Sequence, residues 1–222
     1  LMKNLRTKIA ILAISFVSFL GIQSASALEG LAVGVSINTA GFMGSGKETM
    51  TGSGAATTQK DVTEEDGAFG EDVASVFVEY AASDMVSVGI EVFADDVTTP
   101  ENLNLQETTR NTVKATFKDH TTLYANVSMP FNTYLKLGYH MVDIQTQESL
   151  GTGSKYNDVD TTGYTLGLGY QAKSDNGMFV RLEVSASSYD DVSAASTVDS
   201  NKEVTVTDMY GAMGSLKIGK SF

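Results

Sequence analysis

The chain has no cysteine and no tryptophan, and two prolines among its 222 residues. Without cysteine there is no disulfide framework and no thiolate metal site. Basic residues are also scarce, with 15 Lys and Arg against 27 Asp and Glu, a formal charge of −12. So acidic a balance excludes the basic surface that nucleic acid requires of a partner. Beyond residue 27 there is no long apolar run. A membrane-spanning helix takes about 20 predominantly apolar residues, so no later stretch crosses a bilayer in that way.

What the sequence does contain starts with an export pattern. Lys3, Arg6 and Lys8 form a positive n-region, Ile9 to Leu20 an apolar segment, and Ala25-Ser26-Ala27 an A-x-A cleavage site. Residues 1–27 therefore read as a signal peptide, with Ala25 and Ala27 as the small residues that the peptidase selects. A retained anchor is the alternative, for which the apolar run is short. Cleavage removes three basic residues and no acidic ones, leaving 12 against 27, or −15, on a single domain of residues 28–222.

That domain alternates with a period of two, as strands do when their faces meet different surroundings. In Tyr210 to Phe222 the mainly apolar set is Tyr210, Ala212, Gly214, Leu216, Ile218, Lys220 and Phe222, against the smaller and polar Gly211, Met213, Ser215, Lys217, Gly219 and Ser221. A strand so placed must be paired, and closing a barrel against the first strand removes its open edge. The first strand sets Leu31, Val33, Val35 and Ile37 against Ala32, Gly34, Ser36 and Asn38. Val73 to Ala82 and Met85 to Ala94 flank a tight turn at Ser83-Asp84. Odd positions from Val113 to Met129 keep one parity, which predicts one long strand turned by Pro130-Phe131-Asn132. Three more strands follow, around Leu135 to Met141, Tyr164 to Tyr170 and Met178 to Ala186, before the closing one.

Eight strands result. Gly41–Asp72, Asp95–Asn111, Ile144–Asp160 and Asp190–Glu203 read as long polar loops, alternating with short turns. Transmembrane barrels carry short periplasmic turns and long extracellular loops, with both termini periplasmic. Tyr80, Phe131, Tyr170 and Phe222 fall at the periplasmic ends of their strands, and Phe117, Tyr164 and Tyr210 towards the other rim, as two aromatic girdles.

The closing strand, with Tyr210, Leu216, Ile218 and the terminal Phe222, resembles the C-terminal assembly signal of bacterial outer-membrane β-barrels. Lys220 departs from that pattern, since the family carries an apolar or aromatic residue there. Over residues 28–222 the chain is similar to small barrels of the OmpA, OmpX and opacity-protein type. The resemblance implies an all-β, eight-stranded antiparallel up-and-down transmembrane barrel of a Gram-negative outer membrane. It further implies a monomer that meets lipid, lipopolysaccharide and the barrel assembly machinery, with no cofactor and no enzymatic chemistry. A soluble periplasmic barrel that holds a ligand on an inward apolar face is the structural rival.

The strand charges point to the lumen. Glu79, Glu91, Lys136, His140, Arg181, Glu183 and Lys217 all oppose the apolar face of their own strands. An eight-stranded barrel is only wide enough for its interior side chains to fill it. The expectation is a salt-bridged plug, with a narrow channel for ions or small solutes as the alternative. GFMGSGKE at Gly41 to Glu48 departs from a phosphate-binding loop, because Glu48 stands where Ser or Thr would hold magnesium. The pairs and triplets Glu64-Glu65-Asp66, Asp95-Asp96 and Asp190-Asp191 lack calcium-loop spacing and read as solvated charge. For His120 and His140 no nucleophile or orienting carboxylate is recognisable, so no catalytic, cofactor or metal residue is assigned. The function expected is structural, adhesive or receptor-like, carried by the extracellular loops.

Overall fold

A computed structural model describes residues 29–51, 60–106, 109–150 and 155–222. The strands are β1 (Leu31–Thr51), β2 (Lys60–Ala81), β3 (Val86–Phe93), β4 (Val97–Thr98), β5 (Asn102–Gln106), β6 (Thr109–Met129), β7 (Thr133–Leu150), β8 (Val159–Lys173), β9 (Met178–Tyr189), β10 (Val192–Ala195) and β11 (Lys202–Ser221). All pairings are antiparallel, and β11 returns to β1 through pairs such as Ile37↔Leu216, closing the sheet into a ring. β3, β4 and β5 follow one another along β6, and β10 continues β9 along β11. Among the described residues, eight barrel positions therefore arise from eleven strand segments, and the fold class agrees with the sequence pattern.

One end of the barrel carries the tight connections. In the three-residue connection between the paired Met129 and Thr133, Phe131 and Asn132 adopt φ of 64° and 60°, left-handed geometry of the kind that matches the twist of the flanking strands. Phe131 is 90% exposed there. At the next turn the Ser83 hydroxyl accepts from the amides of Met85 and Val86 at 3.3 and 3.1 Å. Above these turns the alternation sorts as the sequence indicates. Val78, Leu137, Leu168, Leu182 and Ile218 face outward and are exposed, while the lumen side is buried. Inward aromatic rings lie over glycines of the adjacent strand: Phe77 over Gly34, Tyr124 over Gly89, Tyr134 over Gly169 and Phe179 over Gly219. A Cβ at Gly169 would stand 2.1 Å from the Tyr134 ring, so the small residues make room for rings that fill the interior.

The opposite end differs from the sequence-based expectation in two respects. First, most of the expected loop Gly41–Asp72 is strand: β1 continues to Thr51 and β2 begins at Lys60, with Thr51 and Lys60 paired. β7 likewise runs to Leu150, and β4, β5 and β10 occupy parts of the other expected loops. The eight steps from Met43 to Thr51 rise roughly 26 Å along the strand at about 3.3 Å each. The GFMGSGKE segment lies within this extension, and apart from Gly44 at an irregularity towards β11 its residues pair on both sides. Extended strand offers no phosphate-cradling turn.

Second, the odd residues of β6 do not share one face. A bulge between Lys118 and Thr121, with Asp119 at φ 49°, inverts the alternation. Thr122, Tyr124 and Asn126 face the lumen below the bulge, whereas Phe117 packs inward above it. Phe117 is thus no part of an outer aromatic girdle. β11 has a matching irregularity opposite Met43 to Ser45, with Asp208 at φ 52°. Aspartate tolerates the left-handed region better than most residues, and one extra residue suffices to exchange the faces of a strand.

Candidate functional site

Below the bulges, the lumen is crossed by ion pairs. Lys136 on β7 donates to Glu91 on β3 and to Glu183 on β9, both at 3.0 Å. Lys217 on β11 donates to Glu91 at 2.7 Å, and its ammonium is 3.4 Å from Glu183. Arg181 on β9 forms a two-bonded fork with Glu79 on β2, at 2.7 and 2.8 Å. Three carboxylates thus meet three cations, a formal sum of zero.

Neutral donors complete the shell. Glu79 accepts from Tyr124 at 3.1 Å and Asn126 at 2.9 Å, Glu91 from Ser75 at 2.6 Å, and Glu183 from Tyr134 at 2.8 Å. Glu91 is fully buried, and Lys136 and Lys217 are each 2% exposed. Such side chains persist away from bulk water only when paired and hydrogen-bonded. Beneath the network, towards the tight turns, Phe77 and Phe179 pack at 6.2 Å between centroids, and the Arg181 guanidinium lies 4.6 Å over the Phe179 ring.

Six of the seven charges expected in the lumen network are in these pairs. His140 is not. It lies above them, with Nδ1 2.7 Å from Thr122 Oγ1 and 2.9 Å from His120 Nε2, and with Nε2 3.0 Å from Ser187 Oγ. The difference is one of height: His140 lies four residues, two pleat repeats, beyond Lys136 on the same strand. The Ser187–His140 contact has the spacing of a nucleophile and base, but hydroxyl and imidazole neighbours, not a carboxylate, face the other ring nitrogen. The backbone at Ser187 is paired to Thr165 and Gly211 on its two sides, which leaves it no turn from which to form an oxyanion hole.

Above the histidines the lumen opens into an apolar cup of about 660 Å³. Val73, Phe93 and Val97 are buried in its wall, and Phe42, Phe69, Phe117 and Met213 pack against them. Phe42 and Phe69 stack at 5.3 Å, Phe69 and Phe117 at 6.4 Å, and Phe93 lies flat on His120 at 4.2 Å. Tyr189 stacks on His140 at 5.3 Å to complete the floor. Sequence reasoning missed this cup, because it assigned Phe42 and Phe69 to a loop and Phe117 to the outer face. Ala40, Phe42 and Gly44 continuing the inward parity of β1 are the one signal that could have revealed it.

On the outer surface, Tyr210, Leu216 and Ile218 are exposed at 47, 42 and 45%. The Phe222 amide donates to Leu31 at 2.8 Å and its carbonyl accepts from Gly30 at 3.1 Å, so Phe222 seals the β1–β11 seam. Lys220, the departure from the family pattern, holds its ammonium 5.2 Å over the Phe222 ring. Ala25 and Ala27 lie outside the described residues. Past the level of the Tyr139–Tyr164 pair, whose rings are 5.3 Å apart, Asp143 stands opposite Asp160 across β7 and β8. Partial desolvation, and then the charges of Asp160 and Asp119, hold the Asp143 carboxyl above its ordinary range.

No protein-family model and no curated protein matches the chain. Solved structures do resemble it. The outer membrane protein OprG from Pseudomonas aeruginosa aligns at a TM-score of 0.50 and 12% identity, over 88% of this chain and 98% of that one. The outer membrane protease OmpT from Escherichia coli aligns at 0.47 and 9%, over 91% and 100%. Neisserial surface protein A aligns at 0.41 and 10%, over 87% and 98%. At such identities the likeness concerns the fold, which is that of outer-membrane β-barrels.

Proposed function

We propose that this chain is an integral outer-membrane barrel with a sealed lumen, whose extended end faces the outside and does structural, adhesive or receptor-like work. The single observation that carries this reading is the charge-neutral ion-pair network across the lumen. A conduction path would have to separate Glu91 from Lys136 and Lys217, at a cost of several kcal/mol for each charge left unpaired. The outward belt of Val, Leu and Ile side chains suits hydrocarbon, and the flanking tyrosines suit its two interfaces.

In this reading the tight turns and both termini are periplasmic, after export by the segment ending at Ala27. The barrel is a monomer that meets lipid, lipopolysaccharide and the assembly machinery, and it catalyses no reaction. Planar-bilayer recordings test it. The expected result is a membrane with no stable conductance steps. Steps whose ion selectivity shifts in Lys136→Ala or Arg181→Ala would establish the narrow channel instead.

A further inference from the structure

We propose that the cup at the extended end is a binding site for a small, uncharged, largely aromatic or alicyclic molecule that carries one hydroxyl or carbonyl group. A volume of about 660 Å³ is within the range of small-molecule sites, which are mostly apolar with a few convergent polar groups. The cup has that composition. Its walls are the stacked Phe42, Phe69 and Phe117 with Val73, Phe93 and Met209, and its floor is the hydrogen-bonded group of His120, His140 and Ser187.

The position of the cup sharpens the case. Below the bulges an inward polar face is required, because the outer face meets lipid. Above them both faces could have been polar without cost, yet β1, β2, β6 and β7 all turn apolar residues inward around a space that they do not fill. Apolar walls around a volume of this size gain free energy when an apolar group covers them.

Charge narrows the class. Among the described residues the lining has four carboxylates, Glu48, Glu65, Asp95 and Glu101, against Lys114 and Lys202, a balance that disfavours an anion. The cations below are matched one for one with acids and offer no counter-charge. The floor groups His120, His140 and Ser187 are hydrogen-bonded to one another and to the Thr122 hydroxyl, so an ion of either sign seated there would leave water without gaining a counter-charge. An uncharged ligand remains, and its polar group finds hydroxyl and imidazole partners at the floor.

The proposal deepens the receptor-like reading, and the experiment separates the two. The barrel, methyl-labelled at methionine and held in lipid nanodiscs, is titrated with 1-naphthol, 1-naphthoate and naphthalene. Met209, 7% exposed, and Met213 report on the cup, while Met129 and Met141, each 37% exposed on the outer face, report on partition into lipid.

The expected result is saturable shifts of Met209 and Met213 with 1-naphthol, while Met129 and Met141 drift without saturation. Binding of 1-naphthoate should be weaker by about tenfold or more, and that of naphthalene weaker as well, for want of the hydrogen bond. Val206→Trp, which fills the cup, should abolish the saturable shifts. If that variant loses its heat-modifiable fold, Ala194→Phe tests the same volume from β10. Parallel shifts of all four methionines, silence of Met209 and Met213, or equal binding of 1-naphthoate would overturn the site. Saturable binding by a barrel that also conducts would retain the site and overturn the sealed lumen alone.

Discussion

Glu91 is the acid on which the lumen network converges, and neutralising it isolates what the network contributes. It is 0% exposed and accepts from Lys217 at 2.7 Å, Lys136 at 3.0 Å and Ser75 at 2.6 Å. Glu91→Gln keeps the size and a hydrogen-bond acceptor but leaves three cations against two carboxylates. Removing one partner of a buried pair costs about 3 to 5 kcal/mol, against about 0 to 1 for an exposed pair. At about 1.4 kcal/mol per tenfold, the unfolding constant should rise by roughly two to three and a half powers of ten. Glu91→Gln combined with Lys217→Met restores a formal balance of two against two. It should recover most of the loss, because an apolar replacement of a buried pair is often neutral. The assay is urea titration of barrels refolded into vesicles, followed by gel mobility without boiling and by tyrosine fluorescence, which the absence of tryptophan leaves unobscured. A cost below about 1 kcal/mol for Glu91→Gln, or a double variant weaker than the single one, would refute the reasoning.

Three further outcomes are expected. Asp143→Asn should stabilise the barrel at neutral pH by a few tenths of a kcal/mol after solvent screening, since it removes a like-charge cross-strand pair. Because the folded-state pKa of Asp143 is raised, the wild type carries its penalty above that pKa and loses it as pH falls, so the advantage should vanish on acidification; urea midpoints against pH would show a constant gap if this is wrong. Phe222→Asp should lower the amount of folded, heat-modifiable protein without affecting export, and normal yields would count against a role for Phe222 in closing the seam. Trypsin added to intact cells should cut at the exposed Lys155 and spare both Lys47, held in β1 between β2 and β11, and Lys173 at a tight turn. Cleavage at Lys173 alone would invert the barrel.

The eight barrel positions and the sides of Glu79, Glu91, Lys136, Arg181, Glu183 and Lys217 were legible because lipid and lumen make opposite demands on alternate residues. Where both faces of a strand meet water that contrast vanishes. Lys47, Thr49, Glu64 and Asp66 therefore read as loop although they are in ladders. Pairings within the lumen were legible in kind but not in detail, since strand tilt decides which charges are level, and it separated His140 from the acids. The bulge at Asp119 was hidden for a different reason. Phe117 and Leu123 share a parity in the sequence, and only the backbone between them sends one inward and the other outward.

The bulges also act on the bilayer side. Below Asp119 and Asp208 the strands are inside-out, with hydrocarbon groups towards the surroundings. Above them β6 and β11 follow the rule of water-soluble proteins, and Phe117, Val204 and Val206 turn to the interior. β7 makes the same exchange by changing its residues, from Met141 outward to Val142 inward. In β6 and β11 one left-handed residue makes it without any change in the apolar repeat. If that level is the waterline, two backbone phase changes set the draught of the barrel in a membrane, with no tyrosine needed to mark it. Strand can be added or lost on the water side without moving that waterline.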